Sequence, residues 1–444
     1  MIRWRNIPPA ARLAIGLLGL VALGTGLMHL PGVSSGRPLS WSEALFTAVS
    51  ALSVTGLSLI QPGRDLTLFG QIILLLLIQA GGVGFMVMAV VLFRLVGRRI
   101  MYLDRIALRD SLGLIDTRAI LRFTRRLLLM VGVIEMVGAW FLWLNWRGML
   151  GDGRAAFYAL FHAVSEFCNA GFDLFAGVDG FSGIPNDGAT LTILGALIFL
   201  GSLGMPVLID LWGYPEARKL SFNTRLTLLV VTALVALGTI GLFLSESTAV
   251  GTLREEPFLP RLGLSLFQSV ATRTAGYAGI NNFETLSPAG QLIKIGLMFV
   301  GSAPASMGGG ITTGTFIVLA LTFWSYIRRR DSVTLLSRTI PPDTVRRALA
   351  VLTISLFVVF NATWLILLTH PHATLDQVLF EVISAFATCG FTLAFTGQLN
   401  LFGQLIIIFV MFWGRLGALT IILALAGTPG QELVKYPDGQ VLIG

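Results

Sequence analysis

The sequence predicts an all-α integral membrane protein, in which four parallel helix–pore-loop–helix repeats with eight spanning helices surround a pseudo-fourfold pore. Three observations lead to this prediction: the composition, a glycine-centred motif that occurs four times, and the placement of positive charge. Of the 444 residues, 55% are hydrophobic and only 12% are charged, and the mean hydropathy is +0.82. Because a soluble domain has about twice that charged fraction, the chain is expected to lie in a lipid bilayer.

Eight long apolar stretches have close to the ~20 residues that a spanning helix requires. They are residues 12–30, 68–93, 127–146, 189–212, 226–244, 288–326, 348–369 and 401–426. We interpret the first as a spanning helix and not as a cleaved signal peptide, because no A-x-A-like site follows it. Four half-apolar segments between the members of each pair are too short to span: 41–53, 155–168, 258–271 and 375–387.

Each short segment leads into a glycine turn. The four turns are Val54-Thr55-Gly56, Asn169-Ala170-Gly171, Thr274-Ala275-Gly276 and Thr388-Cys389-Gly390. In three of them a Phe lies ten residues before the glycine and a Ser six before, whereas the third segment is one residue shorter. The recurrence of this unit at a period above a hundred residues indicates repetition of a whole module.

The repeats define the predicted domain organisation. They cover residues 12–95, 120–213, 222–328 and 345–427. All four belong to a single membrane domain, 1–444, whose last part, 428–444, is expected to be a cytoplasmic tail.

Positive charge is concentrated between the repeats. Residues 94–126 hold nine arginines and 328–347 hold six, whereas 371–403 hold neither Lys nor Arg. By the positive-inside rule the segments between repeats and both termini are cytoplasmic, so each short helix and its turn enter from outside. The net charge of +8 therefore reflects membrane topology and does not indicate binding of nucleic acid. A docking surface for a cytoplasmic partner is the alternative use of the arginine-rich segments.

Four glycine turns around one axis suit the passage of a cation. Non-helical backbone is tolerated at membrane depth only where protein buries it or water lines it. Carbonyl oxygens of such turns replace the hydration shell of a cation, and the negative dipole ends of the short helices face the turns. Acidic residues near the outer mouth either concentrate cations or are ordinary solvated loop charges: Asp65, Asp173, Asp179 and Glu284.

The four turns, with Phe-Cys-Asn-Ala-Gly-Phe at 167–172 and Arg-Thr-Ala-Gly-Tyr at 273–277, resemble the degenerate selectivity filters of the Trk/Ktr/HKT superfamily of K⁺ transporters. The resemblance covers nearly the whole chain, and eight spans without an extra N-terminal pair are more similar to the Ktr than to the Trk type. It implies uptake of K⁺, often dependent on Na⁺, by a homodimer in the cell (inner) membrane. It also implies control by a cytoplasmic nucleotide-binding ring subunit, with no organic cofactor in this chain.

The apolar stretch 288–326 is too long for one helix. At about 1.5 Å per residue it would measure roughly 58 Å, twice the hydrocarbon core. A helix-breaking run with Pro and a Gly triplet supplies the break: Gly301, Ser302, Pro304, Ser306, Gly308, Gly309, Gly310, Thr312, Thr313 and Gly314. We interpret this run as a mobile gate under the pore; a kink required for packing is the alternative. The resemblance implies an intramembrane loop here, with a Lys where this chain has Thr312.

Arg415 lies deep in the last apolar stretch, about 16 Å from its inner end at 1.5 Å per residue. An Arg at mid-membrane costs roughly 2.5–3.5 kcal/mol or more and therefore faces a polar interior. The resemblance matches it to an Arg just beneath the filter. A buried pair with a carboxylate or with carbonyls is the alternative to a pore-facing guanidinium.

Five other residues in or near the apolar stretches are expected to have structural roles. Glu135 and Lys294 are deep charges expected to pair with unidentified partners. Arg273 is expected to anchor the third turn, since a cation at an ion site would repel K⁺. Cys168 and Cys389 are expected to be small, inert core thiols.

Three other classes of protein remain to be weighed. An alternating-access secondary transporter typically has inverted repeats, whereas these repeats run parallel. A membrane enzyme would need a nucleophile–base arrangement or metal-ligand spacing, and neither is present in the apolar stretches, so no enzymatic activity is expected. A non-selective monovalent cation channel shares the fold, because single-glycine turns offer fewer carbonyl rings than a longer filter loop.

Overall fold

The computed structural model describes residues 9–84, 120–178, 180–214, 218–249, 252–279, 283–330, 332–335 and 338–417. Most of the arginine-rich segment 94–126, the tail 428–444 and Asp179 lie outside these ranges. Within them the regular structure is helical, apart from one bridge between Ser34 and Leu66 and a short antiparallel pair. The two strands of that pair are β1 (Thr334–Leu335) and β2 (Arg338–Thr339).

The first predicted repeat contains two apolar helices, with a shorter helix and a single helical turn between them. Its elements are α1 (Pro9–Met28), α2 (Trp41–Ser53), the single turn α3 (Pro62–Asp65) and α4 (Leu68–Gly82). Helix α2 begins in a capping box, in which Ser40 and Glu43 satisfy each other's backbone N–H groups.

The second repeat has the same order but a bent last helix. Its elements are α5 (Ile120–Leu150), α6 (Asp152–Phe167), α7 (Gly188–Ser202) and α8 (Met205–Trp212). The axes of α7 and α8 differ by 105°, so the prediction of one continuous helix over 189–212 is wrong. Gly204 has a φ of 87°, and Pro206 in the first turn of α8 restarts the helix.

The third repeat has the predicted break. Its elements are α9 (Phe222–Glu246), α10 (Phe258–Ala271), a 3₁₀ turn (Phe283–Thr285), α11 (Pro288–Val300) and α12 (Thr313–Ile327). The non-helical segment between α11 and α12 is residues 301–312, called the broken-helix loop below. It is shorter than predicted, because Thr312 caps α12 through its hydroxyl and Thr313 and Gly314 are already helical.

The fourth repeat ends earlier than predicted. Its elements are α13 (Pro342–Thr369), α14 (Leu375–Phe386), a 3₁₀ turn (Thr396–Gln398) and α15 (Leu401–Leu416). The prediction of a helix over 401–426 is corrected at Gly417, whose φ of 77° is not a helical value. Residues from 418 onward lie outside the described part.

By length and composition, three helices of the described ranges can cross a membrane: α5, α9 and α13. The bent pair α7 and α8 would make a fourth. Five shorter apolar helices, α1, α4, α11, α12 and α15, accompany them. Eight spans therefore stay a prediction.

The short helices α2, α6, α10 and α14 form the centre of the molecule. The phenylalanines Phe46, Phe161 and Phe380 on three of them are fully buried. Besides its own repeat, each short helix packs on the preceding repeat's helix: α6 on α4, α10 on α7 and α14 on α11, while α2 packs on α15. This order of contacts brings the four glycine turns together.

Candidate functional site

Each glycine turn is closed by one backbone hydrogen bond to the end of its short helix. The residue before the glycine donates its N–H, and the pairs are Thr55 to Ser50 (2.8 Å), Ala170 to Ser165 (2.7 Å), Ala275 to Ala271 (2.9 Å) and Cys389 to Ser384 (2.8 Å). The third closure spans four residues and the others span five. The longer closures each contain a left-handed residue: Val54, Asn169 and Thr388. The third segment is one residue shorter, and its closure therefore lacks the left-handed residue that the other three contain.

The four turns contact one another in a closed cycle. All four glycines have positive φ values of 86°, 65°, 61° and 92° in chain order, which L side chains rarely adopt. A Cβ on any of them would collide with the carbonyl oxygen that precedes the next glycine. The collisions run from Gly56 to Ala170, Gly171 to Ala275, Gly276 to Cys389 and Gly390 to Thr55. Glycine is required here both by conformation and by space.

A cavity of about 630 Å³ opens above the turns and is lined by all four glycines. Asp173 also lines it and accepts hydrogen bonds from the backbone N–H groups of Phe175 (2.6 Å) and Ile184 (3.1 Å). This carboxylate therefore orders the loop beside the cavity as well as adding negative charge to it. Asp65 and Glu284, the other described acidic candidates, are not among the residues that line this cavity.

On the side away from the cavity, three glycines allow a close approach. Gly81, Gly201 and Gly414 lie in α4, α7 and α15, where a Cβ would meet the carbonyl oxygen of Leu52, Phe167 and Phe386 respectively. These carbonyls are at the ends of the short helices. The corresponding Gly301 lies instead at the end of α11 and packs against Gly309 of the broken-helix loop.

The broken-helix loop lies directly against the third and fourth turns. Gly309 N–H donates to Ala387 O (3.2 Å) and to Thr388 Oγ1 (2.8 Å). A Cβ on Gly308 would collide with the side chain of Thr274. Ser302 and Ser306 hydrogen-bond each other inside the loop (2.5 Å).

The bend between α7 and α8 holds the same loop from the second repeat. Ala303 N donates to Ser202 O (3.1 Å), and Met205 N donates to Ala305 O (3.0 Å). The continuous helix predicted over 189–212 does not provide for this support. Gly204 and Pro206, two helix breakers inside that stretch, are the sequence signal for it.

Two arginines donate to carbonyls of the loop. Arg273 Nη2 donates to Gly301 O (2.7 Å), which ties the third turn to the end of α11. Arg415 donates to Met307 O and to the carbonyls of Gly81 and Gly82. Among the described residues its partners are carbonyls and not a carboxylate, so the guanidinium connects α15 and α4 to the loop.

The deep charges Glu135 and Lys294 have polar partners. Glu135 accepts from Gln79 Nε2 (3.1 Å) and from the Cys168 thiol (3.9 Å). Lys294 Nζ donates to Gln268 Oε1 (2.5 Å) and to Thr272 Oγ1 (3.0 Å). Both cysteines are buried and free.

Comparison with known proteins identifies a matching family and several relatives. The family described as TrkH, cation transport protein, matches residues 21–436. Ktr system potassium uptake protein B of Bacillus subtilis (strain 168) is 34% identical over 100% of this chain and 98% of its own length. The protein of that name from Vibrio alginolyticus is 36% identical over 97% of this chain and 94% of its own length. The potassium/sodium uptake protein NtpJ of Enterococcus hirae is 32% identical over 99% of this chain and 98% of its own length.

A solved structure shows the same fold. The crystal structure of the potassium transporter TrkH from Vibrio parahaemolyticus superposes with a TM-score of 0.74, over 96% of this chain and 86% of that one, at 17% identity. The chain thus has the helical fold of that structure. The chain belongs to the TrkH family of cation transport proteins.

Proposed function

We propose that this protein takes up K⁺ selectively across the cell membrane, through a pore whose filter is the four glycine turns. The observation that carries the proposal is the closed cycle of contacts among Gly56, Gly171, Gly276 and Gly390. Backbone carbonyls in such a cycle can surround a dehydrated cation. The ion-binding backbone would come from the twelve residues of the turns: Val54, Thr55, Gly56, Asn169, Ala170, Gly171, Thr274, Ala275, Gly276, Thr388, Cys389 and Gly390. The potassium uptake named for the relatives from B. subtilis and V. alginolyticus supports the choice of ion.

The proposed architecture is a pseudo-fourfold arrangement of parallel repeats. The repeats are those predicted from the sequence, 12–95, 120–213, 222–328 and 345–427, with eight spans. The contacts of each short helix with the preceding repeat support it. The charge distribution supports a multi-pass topology with both termini in the cytoplasm.

The proposed gate is the broken-helix loop together with Arg415. The loop contacts the filter residues Thr274 and Thr388 from the side away from the outer cavity. Arg415 holds Met307 of this loop and places a positive charge near the path. Movement of the loop away from the turns would open the path.

Two further components belong to the proposal. The protein would act as a homodimer in the bilayer, with a cytoplasmic nucleotide-binding ring subunit controlling opening. The words "Ktr system" in the relatives' names support a system of more than one component. Na⁺ would act as a coupled or stimulating ion.

Two observations favour alternatives. The shorter third closure makes the filter asymmetric, and the name of the E. hirae relative includes sodium; both favour a less selective monovalent cation pathway. The second broken helix, α7 with α8, is a feature that alternating-access transporters also have.

Uptake into liposomes tests these possibilities. The full-length protein, purified and reconstituted, is expected to take up K⁺ much faster than Na⁺, and its expression is expected to restore growth of a K⁺-uptake-deficient cell at low external K⁺. Equal K⁺ and Na⁺ uptake would favour the non-selective pathway. Absence of both uptake and growth would overturn the proposed function.

A further inference from the structure

Lys294 is a fully buried basic side chain, with polar and aromatic groups around its nitrogen. It is 0% exposed. Two of its three N–H groups reach Gln268 and Thr272, and its nitrogen lies 4.0 Å from the ring centroid of Phe391 and 4.9 Å from that of Phe283. A buried charge is costly unless it is paired, and the ring faces supply the remaining attraction. Lys294 is therefore held in one position.

The position of Lys294 is apolar in the other repeats. Lys294 is the seventh residue after the N-cap Ser287 of α11. The seventh residues after the N-caps of α4, α7 and α15 are Leu74, Leu194 and Ile407, and all three are fully buried. A leucine-sized apolar side chain thus fits this position, and the cation is an addition specific to the third repeat.

Lys294 contacts the third and fourth turns together. Thr272 is the C-cap of α10 and leads into the third turn, and Phe391 directly follows Gly390 of the fourth. The Cys389 thiol of the fourth turn donates to Thr272 O (3.2 Å). The ammonium lies where the two turns join.

The third repeat also lacks the glycine–helix packing that supports the short helices of the other three. In the other repeats, Gly81, Gly201 and Gly414 pack on the end of the short helix. In the third, α11 ends at Val300. Among the described residues, the side chains of Lys294 and Arg273 hydrogen-bond between α11 or its end and α10 or the third turn.

We propose that Lys294 is a positioning residue for ion selection, which holds the third filter turn at a fixed distance from the fourth through Thr272 and Phe391. A filter discriminates ions by the placement of its carbonyl oxygens. By joining Thr272 to Phe391, Lys294 fixes the positions of the carbonyl oxygens at the third and fourth turns, where the filter is least symmetric. This inference rests on the proposed K⁺-selective pathway.

The test measures K⁺ and Na⁺ uptake by the full-length protein in liposomes. Lys294→Leu, the residue type of the first two repeats, is expected to fold. It is expected to raise the KM for K⁺ several-fold and to lower the ratio of K⁺ to Na⁺ uptake several-fold. A merely structural role would lower the amount of folded protein and leave both KM and the ratio unchanged.

Thr190→Val is the control. Thr190 is buried near the start of α7 in the second repeat, where its hydroxyl accepts from Trp146 Nε1 (2.9 Å). This variant is expected to lower thermal stability without changing the ion ratio. Equal changes of the ratio in both variants would overturn the proposal, as would an unchanged KM and ratio in Lys294→Leu.

Thr272→Val covers the case in which Lys294→Leu does not fold. It keeps the lysine and removes one acceptor, so a smaller shift of the ratio in the same direction is expected. An unchanged ratio in Thr272→Val would then overturn the proposal. Absence of K⁺ uptake by the parent protein would instead count against the proposed function, so the two failures are distinguishable.

Discussion

The third repeat differs from the other three in the closure of its turn and in the helix that follows. Its closure spans four residues and needs no left-handed residue, whereas the others span five and contain Val54, Asn169 or Thr388. Behind the other turns a glycine of the following helix packs on the short helix, but α11 gives way to the broken-helix loop. The difference shows that the third repeat, which carries the proposed gate, has the buried basic side chains Arg273 and Lys294 where the other repeats have helix packing.

The largest effect is expected from breaking the cycle that all four repeats share. Gly56→Ala, Gly171→Ala, Gly276→Ala and Gly390→Ala each place a Cβ against a carbonyl of the next turn. We expect K⁺ uptake to fall to background in all four, including the distinctive third turn, while membrane insertion is retained. Gly397→Ala is the control, since nothing lies within 4 Å of its added Cβ. Normal uptake by all four inserted variants would contradict a pore at this site.

The next effect concerns the loop of the third repeat. Gly308→Ala would push this loop against Thr274, so we expect several-fold slower uptake, measured as initial rate in liposomes. Deletion of residues 304–309 would shorten the obstruction and is expected to raise the rate. Gly296→Ala in α11, which has open space around its Cβ, serves as the control. Parental rates in both loop variants would support a packing kink instead of a gate.

Arg415 separates the role of charge from the role of attachment. Arg415→Gln removes both the positive charge and the hold on Met307, and we expect several-fold faster K⁺ uptake. Arg415→Lys keeps the charge but cannot reproduce the planar set of donors. Faster K⁺ uptake in both variants would show that attachment of the loop to Arg415 restrains the path. Faster uptake in Arg415→Gln alone would show that the positive charge does so. A large loss of thermal stability without faster uptake in either would exclude Arg415 from gating.

A smaller effect compares the starts of the first and third short helices. Ser40 caps α2 with its side chain, whereas the N-cap residue of α10, Pro257, makes no side-chain cap. Loss of such a cap costs about 1 kcal/mol. Ser40→Ala should therefore lower the melting temperature in detergent slightly. Pro257→Ala removes no cap, so its melting temperature should fall less. Equal shifts would show that the capping box contributes nothing.

The capping box also predicts a pH dependence. Hydrogen bonding by the Arg37 guanidinium lowers the pKa of Glu43 to about 2. Because the pKa is lower in the folded state, the stabilisation is fully present above the ordinary value of about 4.3 and is lost as pH falls through about 2. The difference in melting temperature between the parent and Glu43→Gln should stay constant down to about pH 5 and shrink below. A difference that grows on acidification would contradict this arrangement.

The sequence predicts the turns well because their signals are local. Glycine at a fixed place after a short helix, repeated four times, identifies Gly56, Gly171, Gly276 and Gly390. The break after Val300 was also predictable, since Pro304 and the Gly308–Gly310 triplet cannot continue a helix. The same principle could have found the bend at Gly204, which was missed because the stretch had the length of one span.

The partners of the buried charges could not be predicted. Arg415 donates to backbone carbonyls of residues more than a hundred positions away, and carbonyls carry no sequence signature. Gln268 and Thr272, which hold Lys294, are ordinary residues of a short helix until the fold brings α11 beside them. Contacts of this kind depend on the packing of helices, which periodicity does not specify.

The single occurrence of Lys294 has a consequence for how such a protein can evolve. In a tetramer of identical subunits, one codon change would place four ammonium groups around the axis, and their mutual repulsion in a medium of low dielectric would be severe. Because the four predicted repeats are on one chain, the change affects one repeat only. A single chain thus permits adjustments of the proposed filter, one charge at a time, that symmetry forbids to an assembly of identical subunits.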